Sequence, residues 1–99
     1  MSIKPCNENR KHREGLTKQA IADIVRARIL ERRFRKTTIA RATGISESYL
    51  RSLRRAEKQM SLFIFLELSA ALGFEDPCQL LREVLDRRDQ LLRDGTNEV

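Results

Sequence analysis

A chain of 99 residues supplies one small domain with a single core. Trp is absent, aromatics are 5% of the residues, Gly and Pro are scarce, and Leu, Ala, Arg and Glu dominate, so strand signals are lacking and an all-α fold is predicted. The net charge of +6 points to a polyanionic partner, and no apolar run approaches the ~20 residues of a membrane span.

The charge is unevenly placed. Residues 1–60 hold sixteen Lys or Arg and six Asp or Glu, or +10; residues 61–99 hold four and eight, or −4. Residues 1–15 are polar and basic, with Lys11, His12 and Arg13 in a row, and read as a disordered arm able to touch DNA backbone or a minor groove. They lack the apolar stretch of a signal peptide, which predicts a cytoplasmic protein. Cys6 and Cys78 match no metal spacing and are expected as reduced thiols. His12 is the single histidine. With no clustered acids beside it, neither a metal site nor general-base chemistry is expected, and no cofactor is implied.

The helical domain is predicted over residues 16–95, with 96–99 as a tail. Helix 1 is expected to start with Thr17 as N-cap and Leu16 and Ile21 as a hydrophobic staple. Ile21, Ile24, Val25 and Ile29 form its buried stripe, while Arg26, Arg28, Arg32 and Arg33 decorate its surface. Phe34 is expected in the core. Arg32, Arg33, Arg35 and Lys36 gather near the start of helix 2, whose free N–H groups favour a phosphate.

The segment from Lys36 to Arg55, KTTIARATGISESYLRSLRR, holds two short helical patterns joined at Gly44. Ala40 is small where two helices would cross closely. Gly44 suits a left-handed turn. Ile45 fills the space between the helices, and Ser46 is an N-cap. Ile39, Leu50 and Leu53 face the core. Glu47, Ser48, Tyr49, Arg51, Ser52, Arg54 and Arg55 are left facing outward, a polar and cationic set suited to base edges and phosphates.

Helix 4 is predicted from Ser61 as N-cap to Gly73, with Met60 and Phe65 as a staple. It is apolar nearly all round, so Phe63 and Ile64 should be covered by something. Helix 5 has Asp76 as N-cap, Pro77 at the first helical position and Gln79 completing a box-like pattern. It is expected to end near Arg93, with Gly95 as terminator. Leu80, Val84 and Leu91 form one stripe on it, and Cys78, Leu81, Leu85 and Leu92 another. One core contact needs a single stripe, so a dimer interface is predicted from Phe63, Ile64, Leu85, Leu91 and Leu92.

The segment resembles the Cro/cI-type (XRE-like) helix-turn-helix family of transcriptional regulators in Ala40, Gly44, Ile45, Ser46, Tyr49, Leu50 and Leu53. The likeness extends from about Thr17 to Leu81. It departs at Lys36, where Gln or Thr is common, at Arg54, where an acid is usual, and at Ala56 and Met60, where Gly and Pro are usual. The resemblance implies a five-helix, lambda-repressor-like DNA-binding domain with an extended C-terminal helix. It also implies a sequence-specific DNA-binding regulator, a dimeric repressor of a palindromic operator, with no enzymatic activity. On that reading Glu47, Ser48, Arg51 and Ser52 read bases, with the third helix in the major groove. Lys36, Thr37, Ser46, Tyr49, Arg54, Arg55 and Lys58 contact phosphates, although Tyr49 fits the edge of the core equally well. Two other readings stand beside it. The chain could be an antitoxin that autoregulates through the same module and holds a basic toxin on its acidic C-terminal helix. It could also be an interaction domain that has kept the fold without DNA binding.

Overall fold

The computed structural model describes residues 7–97, and within them every regular element is helical. Five helices follow in order: α1 (Asn7–Arg32), α2 (Lys36–Thr43), α3 (Glu47–Arg54), α4 (Leu62–Ala71) and α5 (Pro77–Asn97). Helix α1 packs along α5 and touches α3, α2 lies on α3 and α4, and α4 meets α5. Arg87 reaches Asp23 and Arg88 reaches Thr17, while Phe74, just ahead of α5, stacks on Arg28. Helices α1 and α5 therefore run antiparallel. No helix among the described residues is long and apolar enough to cross a membrane.

The core draws on every helix. Ala20, Val25 and Ile29 of α1 meet Ile39 and Ala40 of α2 and Leu50 and Leu53 of α3. Leu68 and Leu72, Phe74, and Leu80 and Val84 of α5 close the cluster. Ile21, Ile24, Phe34, Ile45, Met60 and Phe65 line its edge, as their spacing predicts. Thr43 is also buried; its hydroxyl donates to Ile39 O at 2.8 Å and Ala40 O at 3.1 Å, which satisfies it inside α2.

The helix starts at Ser46, Ser61 and Asp76 follow the sequence. Ser46 Oγ accepts from Tyr49 N at 3.0 Å, and Ser61 Oγ accepts from Ile64 N at 3.2 Å. Asp76 accepts from Gln79 N at 2.9 Å, while Gln79 Oε1 reaches back to Glu75 N at 2.8 Å. Each cap satisfies N–H groups that the helix itself leaves open.

Two ends differ from expectation. Helix α1 begins ten residues before Thr17, so residues 7–15 of the expected arm are helical. Thr17 is no cap: its hydroxyl donates to Arg13 O at 2.8 Å within the helix. The residue three positions on, Ala20, cannot complete a capping box. Nothing between Asn7 and Thr17 breaks a helix except Gly15, a cost of about 1 kcal/mol, and the pair Arg10–Glu14 spans one turn. At the other end α5 continues through Gly95 to Asn97. Gly95 does not take up the left-handed conformation that ends a helix. The reading of Cys6 lies outside the described residues; Cys78 is a free, exposed thiol.

Left-handed backbone appears at Gly44, Gly73, Arg33 and Ala56. Gly44 (φ 75) donates its N–H back to Arg41 O and closes α2. At Gly73 (φ 78) an added Cβ would meet Arg32 Nη1 at 3.6 Å and Phe34 Cζ at 3.8 Å, ordinary contacts. Backbone angle, not crowding, therefore calls for glycine there. Ala56 (φ 60) adopts the same conformation with a Cβ, at a cost of about 1–2 kcal/mol.

Candidate nucleic-acid interface

Helix α3 is two-sided. Leu50 and Leu53 are buried, each 1% exposed, and direct one face inward. At 3.6 residues per turn, positions 47, 48, 51, 52 and 55 fall within an arc of about 140° on the other side. Glu47, Ser48, Arg51 and Arg55 are exposed there, and Ser52 is half-buried at the margin. The left-handed turn at Gly44 and the cap at Ser46 set where this face points relative to α2.

Lys36 and Thr37 lie exposed at the start of α2, which has no side-chain cap. Its first N–H groups and the positive end of its dipole therefore remain available to an anion. Lys58 is exposed in the loop after α3. Arg35, grouped with Lys36 from the sequence, and Arg41, which the sequence reading did not single out, are exposed on the same two-helix unit. Their surface positions follow from the apolar register of α2, which turns Ile39, Ala40 and Thr43 inward. None of Arg35, Lys36, Arg41, Arg51, Arg55 or Lys58 forms an ion pair among the described residues. Glu47, in the first turn of α3, complements that helix's dipole.

Two of the expected phosphate contacts, Tyr49 and Arg54, are half-buried instead of exposed. Tyr49 is half-buried at the edge of the core, and its hydroxyl donates to Gln59 O at 2.7 Å. A phosphate offers acceptors only, so Tyr49 acts here as a brace for the loop after α3 and not as a donor to a phosphate. Arg54 is half-buried, and its Nε is buried with no hydrogen-bond partner. No acid neutralises it among the described residues.

One α1 cation also turns inward. Arg28, expected as surface decoration, donates Nε to Leu72 O at 2.9 Å and Nη2 to Gly73 O at 2.8 Å. Its guanidinium lies 4.2 Å from the Phe74 ring centroid. Arg32 lies near Gly73 too. Arg28 thus complements the carbonyl end of α4. Arg26 and Arg87 both pair with Asp23. Burial is the largest influence on the Asp23 carboxyl and raises its pKa. Hydrogen bonds from Gln19, Arg87 and Arg26, with the Arg87 charge, outweigh it and hold the pKa below the ordinary value of 3.8.

The predicted dimer residues divide. Phe63 (66% exposed), Leu85 (41%) and Leu92 (47%) lie on the surface. Ile64 and Leu91 are half-buried against the chain's own core, so their apolar area is largely committed within one subunit. Leu62, Leu66 and Leu81 are exposed and were missed. Leu81 shares the stripe of Cys78, Leu85 and Leu92, and α4 is too uniformly apolar for its sequence to show which side is covered. Comparison with protein-family models, with curated proteins and with solved structures finds no match to this chain.

Proposed function

We propose that this chain is a sequence-specific DNA-binding transcriptional regulator of the Cro/cI-type (XRE-like), lambda-repressor-like class. It acts in the cytoplasm by binding and carries out no chemistry. In this reading α2 and α3 form the helix-turn-helix, and α3 enters the major groove. The observation that carries it is the exposed face of Glu47, Ser48, Arg51 and Arg55, directly opposite buried Leu50 and Leu53. Cations without ion-pair partners surround that face. Arg51 would make a bidentate contact to guanine, Ser48 and Ser52 close polar contacts, and Glu47 would accept from cytosine N4. Lys36, Thr37, Arg55 and Lys58 would hold phosphates, joined by Arg54 and by Ser46, whose cap uses only the oxygen as acceptor. Two copies joined through the exposed faces of α4 and α5 would read half-sites about 34 Å apart and repress by blocking polymerase.

Selecting bound sequences from a random DNA pool tests this reading. A palindromic consensus is the expected result, and failure to enrich any sequence at low salt would refute it. A second reading, an antitoxin, draws on α5, where exposed Leu81 and Leu85 lie beside exposed Arg82, Asp86, Asp89 and Arg93. That surface suits a protein partner that covers its leucines, and a toxin retained on the chain purified from its native cells would establish it.

A further inference from the structure

A cleft of about 340 Å³ lies away from the exposed face of α3, between the first half of α1, the loop after α3 and the middle of α5. Arg10, Arg13 and Lys18 of α1 and Arg88 of α5 line it, over a floor containing Ile21 and Met60. Glu14 is the acid in the lining, and it is paired with Arg10 at 3.2 Å. Three cations therefore remain without a counter-charge among the described residues that line the cleft. Arg13 and Lys18 make no ion pair or side-chain hydrogen bond among the described residues.

The walls are tied in place. Arg88 Nη1 donates to Thr17 Oγ1 at 3.4 Å, joining α5 to α1. Gln59, another wall residue, has its carbonyl fixed by the Tyr49 hydroxyl at 2.7 Å. Ile21 and Met60 both pack against the main core, so the floor is anchored. Like charges lining one cleft repel each other, and an anion bound among them turns that repulsion into attraction. The volume falls at the small end of ligand pockets, and the mixture of an apolar floor with convergent polar groups is typical of them. A duplex backbone is convex and hydrated and would leave Ile21 and Met60 unused.

We propose that this cleft binds a small organic phosphate ester, with the phosphate held by Arg13, Lys18 and Arg88 and the organic part on Ile21 and Met60. The site does not require the chain to bind DNA. Its wall at Gln59 is nevertheless bonded to Tyr49 of α3, so a ligand there touches the brace of the exposed α3 face.

The test is an amide chemical-shift titration of the intact chain with phenyl phosphate, inorganic phosphate and phenol. Phenyl phosphate should shift residues 13–21 and 58–60 and bind more tightly than inorganic phosphate, while phenol leaves them unmoved. Arg13→Gln with Lys18→Gln, both exposed or half-buried on the helix surface, should weaken phenyl phosphate at least tenfold without unfolding the protein. Lys36→Gln with Arg55→Gln should leave its binding unchanged. Shifts confined to α2 and α3, or equal binding by the Arg13 and Lys18 variant, would overturn the proposal. If instead that variant keeps phenyl phosphate and lowers the salt dependence of DNA binding, the cleft cations serve backbone phosphates and the small-ligand site is wrong.

Discussion

The Tyr49 hydroxyl donates to the carbonyl oxygen of Gln59 at 2.7 Å, across ten residues of chain. This bond ties the first turn of α3 to the loop that leads into α4. The loop carries Lys58 and follows the strained left-handed backbone of Ala56. Tyr49→Phe keeps the ring packing and removes the bond, so it should lower stability by about 1 kcal/mol. Urea denaturation measures it; an unchanged midpoint would show that the hydroxyl does not hold the loop.

Arg28 joins α1 to the carbonyl end of α4 through two hydrogen bonds and a stacked ring. Lysine carries the charge but lacks the planar fork that serves both carbonyls and the Phe74 face together. Arg28→Lys should therefore still cost about 1–2 kcal/mol. A thermal melt equal to that of the parent protein would mean that charge alone matters at this position.

Asp23 links α1 to Arg87 of α5 with Nε 2.9 Å from its carboxylate. Its pKa is lowered in the folded chain, so the contribution to stability is present above the unfolded value, near 3.8, and is lost as pH falls through the folded value. Asp23→Asn should lower stability near neutral pH by about 1–2 kcal/mol, with the gap closing in acid. Denaturation curves across this pH range provide the check, and a constant difference from neutral to acid pH would contradict the linkage.

Arg51 is exposed on α3 between two buried leucines. In the proposed complex Arg51→Ala should weaken specific binding by about 1–3 kcal/mol and relax preference at one base pair per half-site. With roughly six phosphates neutralised per dimer, log K should fall with log salt at a slope of about −5. Site selection with the variant and titrations at several salt concentrations measure both quantities. An unchanged base preference removes Arg51 from the reading role, and a slope near zero removes the basic face.

Phe63 and Leu85 are exposed on α4 and α5, so Phe63→Ser and Leu85→Ser should leave the monomer fold nearly unchanged. If these helices join two copies, each loss should weaken the dimer by about 1.5–3 kcal/mol. Sedimentation of the parent and both variants reads the outcome directly. A parent chain that stays monomeric without DNA, or variants that dimerise as well as the parent, would place the contact elsewhere.

The sequence by itself determined the helical class, the breaks between helices α2 to α5 and the two-sidedness of α3. These depend on local chemistry: a serine or aspartate oxygen reaches an N–H three residues ahead, glycine tolerates a left-handed angle, and apolar spacing follows the helical turn. Only the tertiary structure decided where α1 begins and which cations stay free. Thr17 carries a cap's side chain, yet its hydroxyl serves an interior turn, and only the packed structure shows the helix running on through Gly15. Arg28 and Arg51 are indistinguishable as residue types. One meets the carbonyls of Leu72 and Gly73 because α1 crosses the end of α4, and the other meets no acid. The cleft beneath Arg13 and Arg88 likewise exists only because α1 and α5 lie side by side, bringing together residues that the sequence holds more than seventy positions apart.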